Sequence, residues 1–186
     1  GNYGGIWRLG KRGQADGYAR GQVTERGLTK YNQNLELVNQ LCESWEVTPD
    51  AKTWTFHLRK GVRWHDGEPH TSEDWMFRYY DRDSNEELVS AISTSLVSFV
   101  DGERVPATLE APDAFTIIWK FEMPKALFNY VGGYATRSYN AYPKHYLKNY
   151  HADYADKGEL EQMAADQDME DWTQLFGMMN DIGRNR

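Results

Sequence analysis

Five histidines, a single cysteine and an acidic carboxy-terminal stretch are the residues of this 186-residue chain whose types could do chemistry unaided. A histidine metal site needs ligands brought onto one face, as H-x-x-x-H does on a helix. His57, His65, His70, His145 and His151 form no such pair on one element, so they read as satisfied or exposed side chains. Cys42, between Leu41 and Glu43, has no Cys-His signature beside it and reads as a small core residue. As the sole cysteine it also excludes an internal disulfide. The acids between Asp153 and Asp171 lack the fixed glycine and closing glutamate of an EF-hand loop and read as a solvated helix face. Gly4-Gly5 and Gly132-Gly133 are too short to cradle a phosphate, and no G-x-S-x-G, P-loop or G-x-G-x-x-G occurs. Two catalytic carboxylates can converge from distant segments, but nothing here picks out a pair. No motif implies a metal or cofactor.

Aromatic rings are the other chemical resource, with 7 Trp and 12 Tyr. Rings of this kind stack on sugars and on peptide side chains, and they also fill cores. Trp45, Trp54, Trp64, Trp75 and Trp119 lie in regular alternations or helical spacings and read as core. Tyr134, Tyr139 and Tyr142 surround Arg137 in a loop-like segment and fit a buried pattern less well, which makes these tyrosines, Tyr134 among them, candidate ligand contacts.

The clearest element signals run from Leu41 to Tyr80. Trp45 and Val47 alternate with polar residues up to the turn pair Pro49-Asp50, and Trp54, Phe56 and Leu58 alternate beyond it, which predicts a hairpin. Val62 to Trp64 predicts a short third strand before the turn His65-Asp66-Gly67. Thr71 and Asp74 stand at capping-box spacing, so a helix should start there and bury Trp75, Met76, Tyr79 and Tyr80. Leu88, Ile92 and Leu96 recur every four residues and predict a second helix over 85–99. Strands are expected at 105–110 and 115–121, the second apolar enough to be covered on both faces. Further helices are expected after Pro124, ended by Gly132-Gly133, and then at Pro143, 160–165 and 172–179. Upstream, a strand is expected at 5–9, followed by a loop rich in glycine and charge.

Composition bounds the class. With 26% charged, 40% apolar and 14% aromatic residues, the body of the chain is globular, and its length allows one core or two small lobes. A formal charge of −7 repels phosphate backbones and anionic lipid, which argues against nucleic-acid and membrane-surface partners. No apolar run approaches the roughly 20 residues of a membrane span. The opening GNYGGIWRLG contains no secretory h-region, so export would imply a leader already removed.

The order of these motifs carries a family resemblance. LCESWEVTPDAKTWTFHLRKGVRWHDGEPHTSEDWMF resembles the stretch that family 5 extracellular solute-binding proteins write as L-A-E-S-W-E-V, then T-F-x-L-R-K-G-V-x-W-x-D-G-x-P-x-T-x-E-D. The likeness continues in YGGIWRLG, LEAPDAFTIIWKF, YPKHYLKNYH and DWTQLF, and so covers nearly the whole chain. Cys42 replaces a usual alanine and His70 an often apolar residue, and neither change disturbs the turn glycine or the capping pair.

The resemblance implies an α+β fold, a mixed or antiparallel sheet with packed helices, belonging to a periplasmic-binding-protein type II fold. Residues 1–40 would begin the first lobe, 41–150 would form an accessory domain, and 151–186 would be a helical return. The implied function is non-catalytic. It is capture of a peptide or oligosaccharide in the periplasm or at the cell surface, by a secreted or lipid-anchored protein, and delivery to an ABC transporter permease. Family members are several times longer and close two lobes over the solute, so this stretch alone should be incompetent. Ser93, within 90–95, and Arg137 would lie towards the cleft. The alternative from the residues themselves is a self-standing carbohydrate- or peptide-binding module.

Overall fold

A computed structural model describes residues 26–134 and 141–180. The expected strand at 5–9 and the loop after it lie outside the described residues. The chain divides into two compact units, one of them Gly27–His145 and the other containing the stretch from Tyr146 onward.

A four-stranded antiparallel sheet organises the first unit. Its strands β3 (Cys42–Val47), β4 (Thr53–Leu58), β7 (Thr108–Asp113) and β8 (Thr116–Lys120) lie in the order β3-β4-β8-β7. The alternation read in the sequence sets the register. Trp45 opposes Phe56, Trp54 opposes Trp119, Phe56 opposes Ile117 and Leu109 opposes Trp119, so all these side chains share one face. Trp54, Phe56, Ile117 and Trp119 are buried there, and Phe128 and Phe121 meet edge to face at 4.8 Å between ring centres. On the other face Thr116 and Ile118 are half-buried and Lys120 is exposed, so β8 is fully covered on one side only.

The expected hairpin forms. At its turn Thr48 Oγ1 donates to Asp50 Oδ1 at 2.6 Å and accepts from the Thr53 N–H at 3.0 Å, while Ala51 takes a left-handed φ of 54°. Val62 to Trp64 does not become a strand; Arg63 makes a lone bridge to Pro69. Ahead of the sheet, β1 (Thr29–Tyr31) and β2 (Leu37–Asn39) pair antiparallel.

Helix α1 (Ser72–Met76) begins where the Thr71–Asp74 pair predicts and continues in wider π-helical turns over Phe77–Asp83. In this capping box the Thr71 N–H donates to Asp74 Oδ2 at 2.9 Å, while the Asp74 N–H lies 3.2 Å from the Thr71 carbonyl oxygen. Trp75 and Tyr79 are buried as expected, but Tyr80 is 42% exposed. The wider turn brings the Tyr80 hydroxyl onto strand β7, where it donates to the Leu109 carbonyl at 2.9 Å and accepts from the Leu109 N–H at 3.1 Å.

The helix expected over 85–99 does not form. Asn85 closes a single turn, accepting from the Leu88 and Val89 N–H groups, and a short 3-10 turn follows at Thr94–Leu96. Strand β5 (Val97–Val100) then pairs with β6 (Glu103–Pro106) across Asp101 and Gly102, both at positive φ. The Ser- and Thr-rich run SAISTS competes with helix through its hydroxyls, and the β-branched residues beyond it prefer the strand. The strand expected at 105–110 is for the same reason two: β6 serves the small hairpin and β7 the main sheet, with Ala107 between them.

Helix α2 (Phe128–Tyr134) includes Gly132 and Gly133 instead of ending before them. It is tied to β1 by a buried hydrogen bond of 2.7 Å from Thr29 Oγ1 to Asn129 Oδ1. Helix α3 (Lys144–Leu147) starts directly after Pro143.

In the unit that contains the stretch from Tyr146, α4 (Lys157–Ala165) and α5 (Trp172–Met179) match the two expected helices. Asp156 and Asp171 cap them by accepting from the Glu159 N–H and from the Thr173 and Gln174 N–H groups, so two acids of this stretch are helix starts. His151 is fully buried, edge-on to Trp172 and Phe176 at 5.2 and 5.6 Å between ring centres.

Candidate functional site

Cys42 is buried, its Sγ donating to the Leu28 carbonyl at 3.0 Å, and burial pushes its thiol up to about 11. A thiol held protonated is a poor nucleophile, which supports the core reading. His145 Nε2 lies 2.7 Å from Asp66 Oδ2, and this hydrogen bond holds the Asp66 carboxyl below its ordinary value. Among the described residues no group of three or more His, Cys, Asp and Glu side chains is placed to hold a metal ion. Nor is any helix among them long and apolar enough to cross a membrane.

Asp74 organises the polar interior of the first unit. Its carboxylate is 3% exposed and accepts from three N–H groups: Thr71 N at 2.9 Å, Trp64 Nε1 at 3.1 Å and Lys144 N at 3.0 Å. Its carbonyl accepts from the Tyr142 N–H at 3.2 Å, so one residue fixes the start of α1, the turn at Trp64 and the entry to α3. Beside it His70 is 4% exposed, packed against Trp64 and Trp75, and neither ring nitrogen has a hydrogen-bond partner among the described residues. Burial pulls this imidazole below its ordinary value, against the opposing pull of the Asp74 charge. Tyr142, one of the tyrosines noted around Arg137, stacks over the Arg78 guanidinium at 4.9 Å, and Arg78 in turn pairs with Asp83 at 3.2 Å.

Of the candidate ligand contacts, Ser93 is exposed on the turn that leads into β5, its hydroxyl 2.8 Å from that of Ser95. Its carbonyl accepts from the Leu96 N–H at 2.9 Å and so closes the turn. Two cations from other segments reach the same turn, which sequence spacing could not reveal. Arg104 on β6 donates to the Ile92 carbonyl, and Lys125 Nζ lies 3.4 Å from the Thr94 carbonyl. Lys125 also leads into α2, because its carbonyl accepts from the Phe128 N–H at 2.9 Å. Tyr134 closes α2, and Arg137 lies outside the described residues.

Residues 36–174 match the family described as bacterial extracellular solute-binding proteins, family 5 Middle. The periplasmic oligopeptide-binding protein OppA of Haemophilus influenzae is 38% identical over 103 residues, 50% of this chain and 19% of its own length. A periplasmic alpha-galactoside-binding protein of Rhizobium meliloti is 27% identical over 124 residues, 66% of this chain and 17% of its own length. A solved oligopeptide-binding protein OppA superposes with a TM-score of 0.77 at 31% identity, covering 97% of this chain and 27% of that one. The chain spans about a fifth of the length of the curated relatives it matches.

Proposed function

Because the chain belongs to the bacterial extracellular solute-binding proteins of family 5, in a type II periplasmic-binding-protein fold, we propose that it forms part of an extracytoplasmic solute receptor. This receptor captures a peptide or oligosaccharide and delivers it to an ABC transporter permease, without catalysing a reaction. The observation that carries the reading is the family match over 36–174, joined to a fold that agrees with OppA across 97% of the chain. Its place is the periplasm or the cell surface. The division of labour follows the resemblance: 1–40 begin the first lobe, 41–150 form the accessory domain, and 151–186 return towards the rest of the first lobe. Ser93, Tyr134 and Arg137 are the ligand contacts of this reading.

The test is a thermal-shift comparison of the 186-residue chain with a family-length protein that contains it, against panels of peptides and oligosaccharides. A ligand at about a hundred times its Kd stabilises the native state by roughly 2.7 kcal/mol. That stabilisation is expected in the longer form and much less in the chain alone. If the chain alone gives the full shift and the longer form adds nothing, it is a self-standing binding module and the receptor reading fails.

A further inference from the structure

The turn at Ser93 brings together more polar chemistry than a chain reversal needs. The Ser93 and Ser95 hydroxyls are 2.8 Å apart, so one donates to the other and the second keeps a proton free to donate outward. Arg104 and Lys125 arrive from separate elements and use backbone carbonyls of Ile92 and Thr94, two residues apart and so at most about 7 Å between Cα atoms. Acids stand close in sequence, Glu103 beside Arg104 and Glu122 near Lys125. Even so, among the described residues no carboxylate comes within 4.0 Å of either cation. Each cation also faces a ring, Arg104 that of Phe99 at 5.8 Å and Lys125 that of Phe121 at 5.9 Å, which limits how they swing away. Lys120, Lys144 and Arg78, by contrast, are spent on Glu110, Glu73 and Asp83.

In a chain of net charge −7, two cations left without a carboxylate beside paired hydroxyls make a local preference for an anion. We propose that the Ser93–Ser95 turn, with Arg104 and Lys125, holds a carboxylate of the transported solute. The solute is then a peptide, held through its terminus or an acidic side chain, and not a neutral oligosaccharide. This proposal rests on the solute-binding reading and narrows it.

Sodium acetate is the probe, titrated into the 15N-labelled 186-residue chain and compared with sodium chloride at equal ionic strength. Acetate should move the Thr94 and Ser95 amide resonances saturably where chloride does not. Lys125→Met and Arg104→Met should each raise the acetate midpoint at least about threefold. Should Arg104→Met unfold, because its guanidinium carries the Ile92 carbonyl, Lys125→Met still decides, since it gives up only a 3.4 Å contact to the Thr94 carbonyl and a ring contact at 5.9 Å. Acetate shifts no larger than those of chloride, or a midpoint unmoved in Lys125→Met, overturn the proposal. A peptide that stabilises the family-length protein equally well with all its carboxylates amidated also overturns it, and leaves the solute-binding reading standing.

Discussion

Replacing Asp74 should destabilise the first unit in two graded steps. The carboxylate accepts from Thr71 N, Trp64 Nε1 and Lys144 N in a setting that is 3% exposed. Alanine strands all three donors at about 1 kcal/mol or more each, so Asp74→Ala should cost roughly 3–4 kcal/mol. Asparagine keeps one oxygen, which can serve Thr71 N and Trp64 Nε1 on the Oδ2 side. Its NH2 then faces the Lys144 N–H, donor against donor, and Asp74→Asn should cost roughly 1.5–2 kcal/mol. Urea unfolding followed by far-UV circular dichroism and by tryptophan fluorescence measures both, and coincident curves justify the free energies. A cost below about 0.5 kcal/mol for Asp74→Asn, or equal costs for both variants, would refute the claim that the three donors depend on this carboxylate.

Other expectations follow from single side chains. Burial holds the His70 imidazole of the folded chain below its ordinary value near 6.5, so as pH falls the unfolded chain takes up the proton first. Its contribution is therefore intact above that value and is lost as pH falls below it, at no more than about 1.4 kcal/mol per pH unit; His70→Leu should flatten the fall in stability between pH 7 and 5. Cys42, raised to about 11 and fully buried, should react with a thiol reagent at neutral pH only at the rate of unfolding; fast labelling of the native chain would contradict its burial. Tyr80→Phe removes the hydroxyl that serves both backbone groups of Leu109 and should cost about 1–2 kcal/mol in the same urea assay, although the ring is 42% exposed.

The hairpin, the start of α1 and α3–α5 were legible because each depends on neighbours in sequence: alternation at Trp45 to Leu58, the Thr71–Asp74 spacing, Pro143, and the helical runs near Leu160 and Trp172. What was illegible is non-local. β4 takes β8, some sixty residues later, as its second partner, and no periodicity announces that. The four-residue recurrence of Leu88, Ile92 and Leu96 imitates a helix, yet of the three only Leu96 is deeply buried, because Val97–Val100 are claimed by a strand partner. The capping role of Asp74 was readable, but its donors Trp64 and Lys144 lie 10 and 70 residues away. In the same way the family resemblance points to Ser93, while Arg104 and Lys125 come to its turn only through the fold.

On the proposed reading, this chain is part of a receptor that captures a solute and does no chemistry on it. Isothermal titration of a family-length protein containing it, with the peptide that gives the largest thermal shift, tests that directly. The expected result is saturable binding with one solute per chain and a Kd near or below about 1 µM, about −8 kcal/mol, with the peptide recovered intact. Conversion of the peptide during the titration, or no saturable heat from any peptide or oligosaccharide, would contradict it.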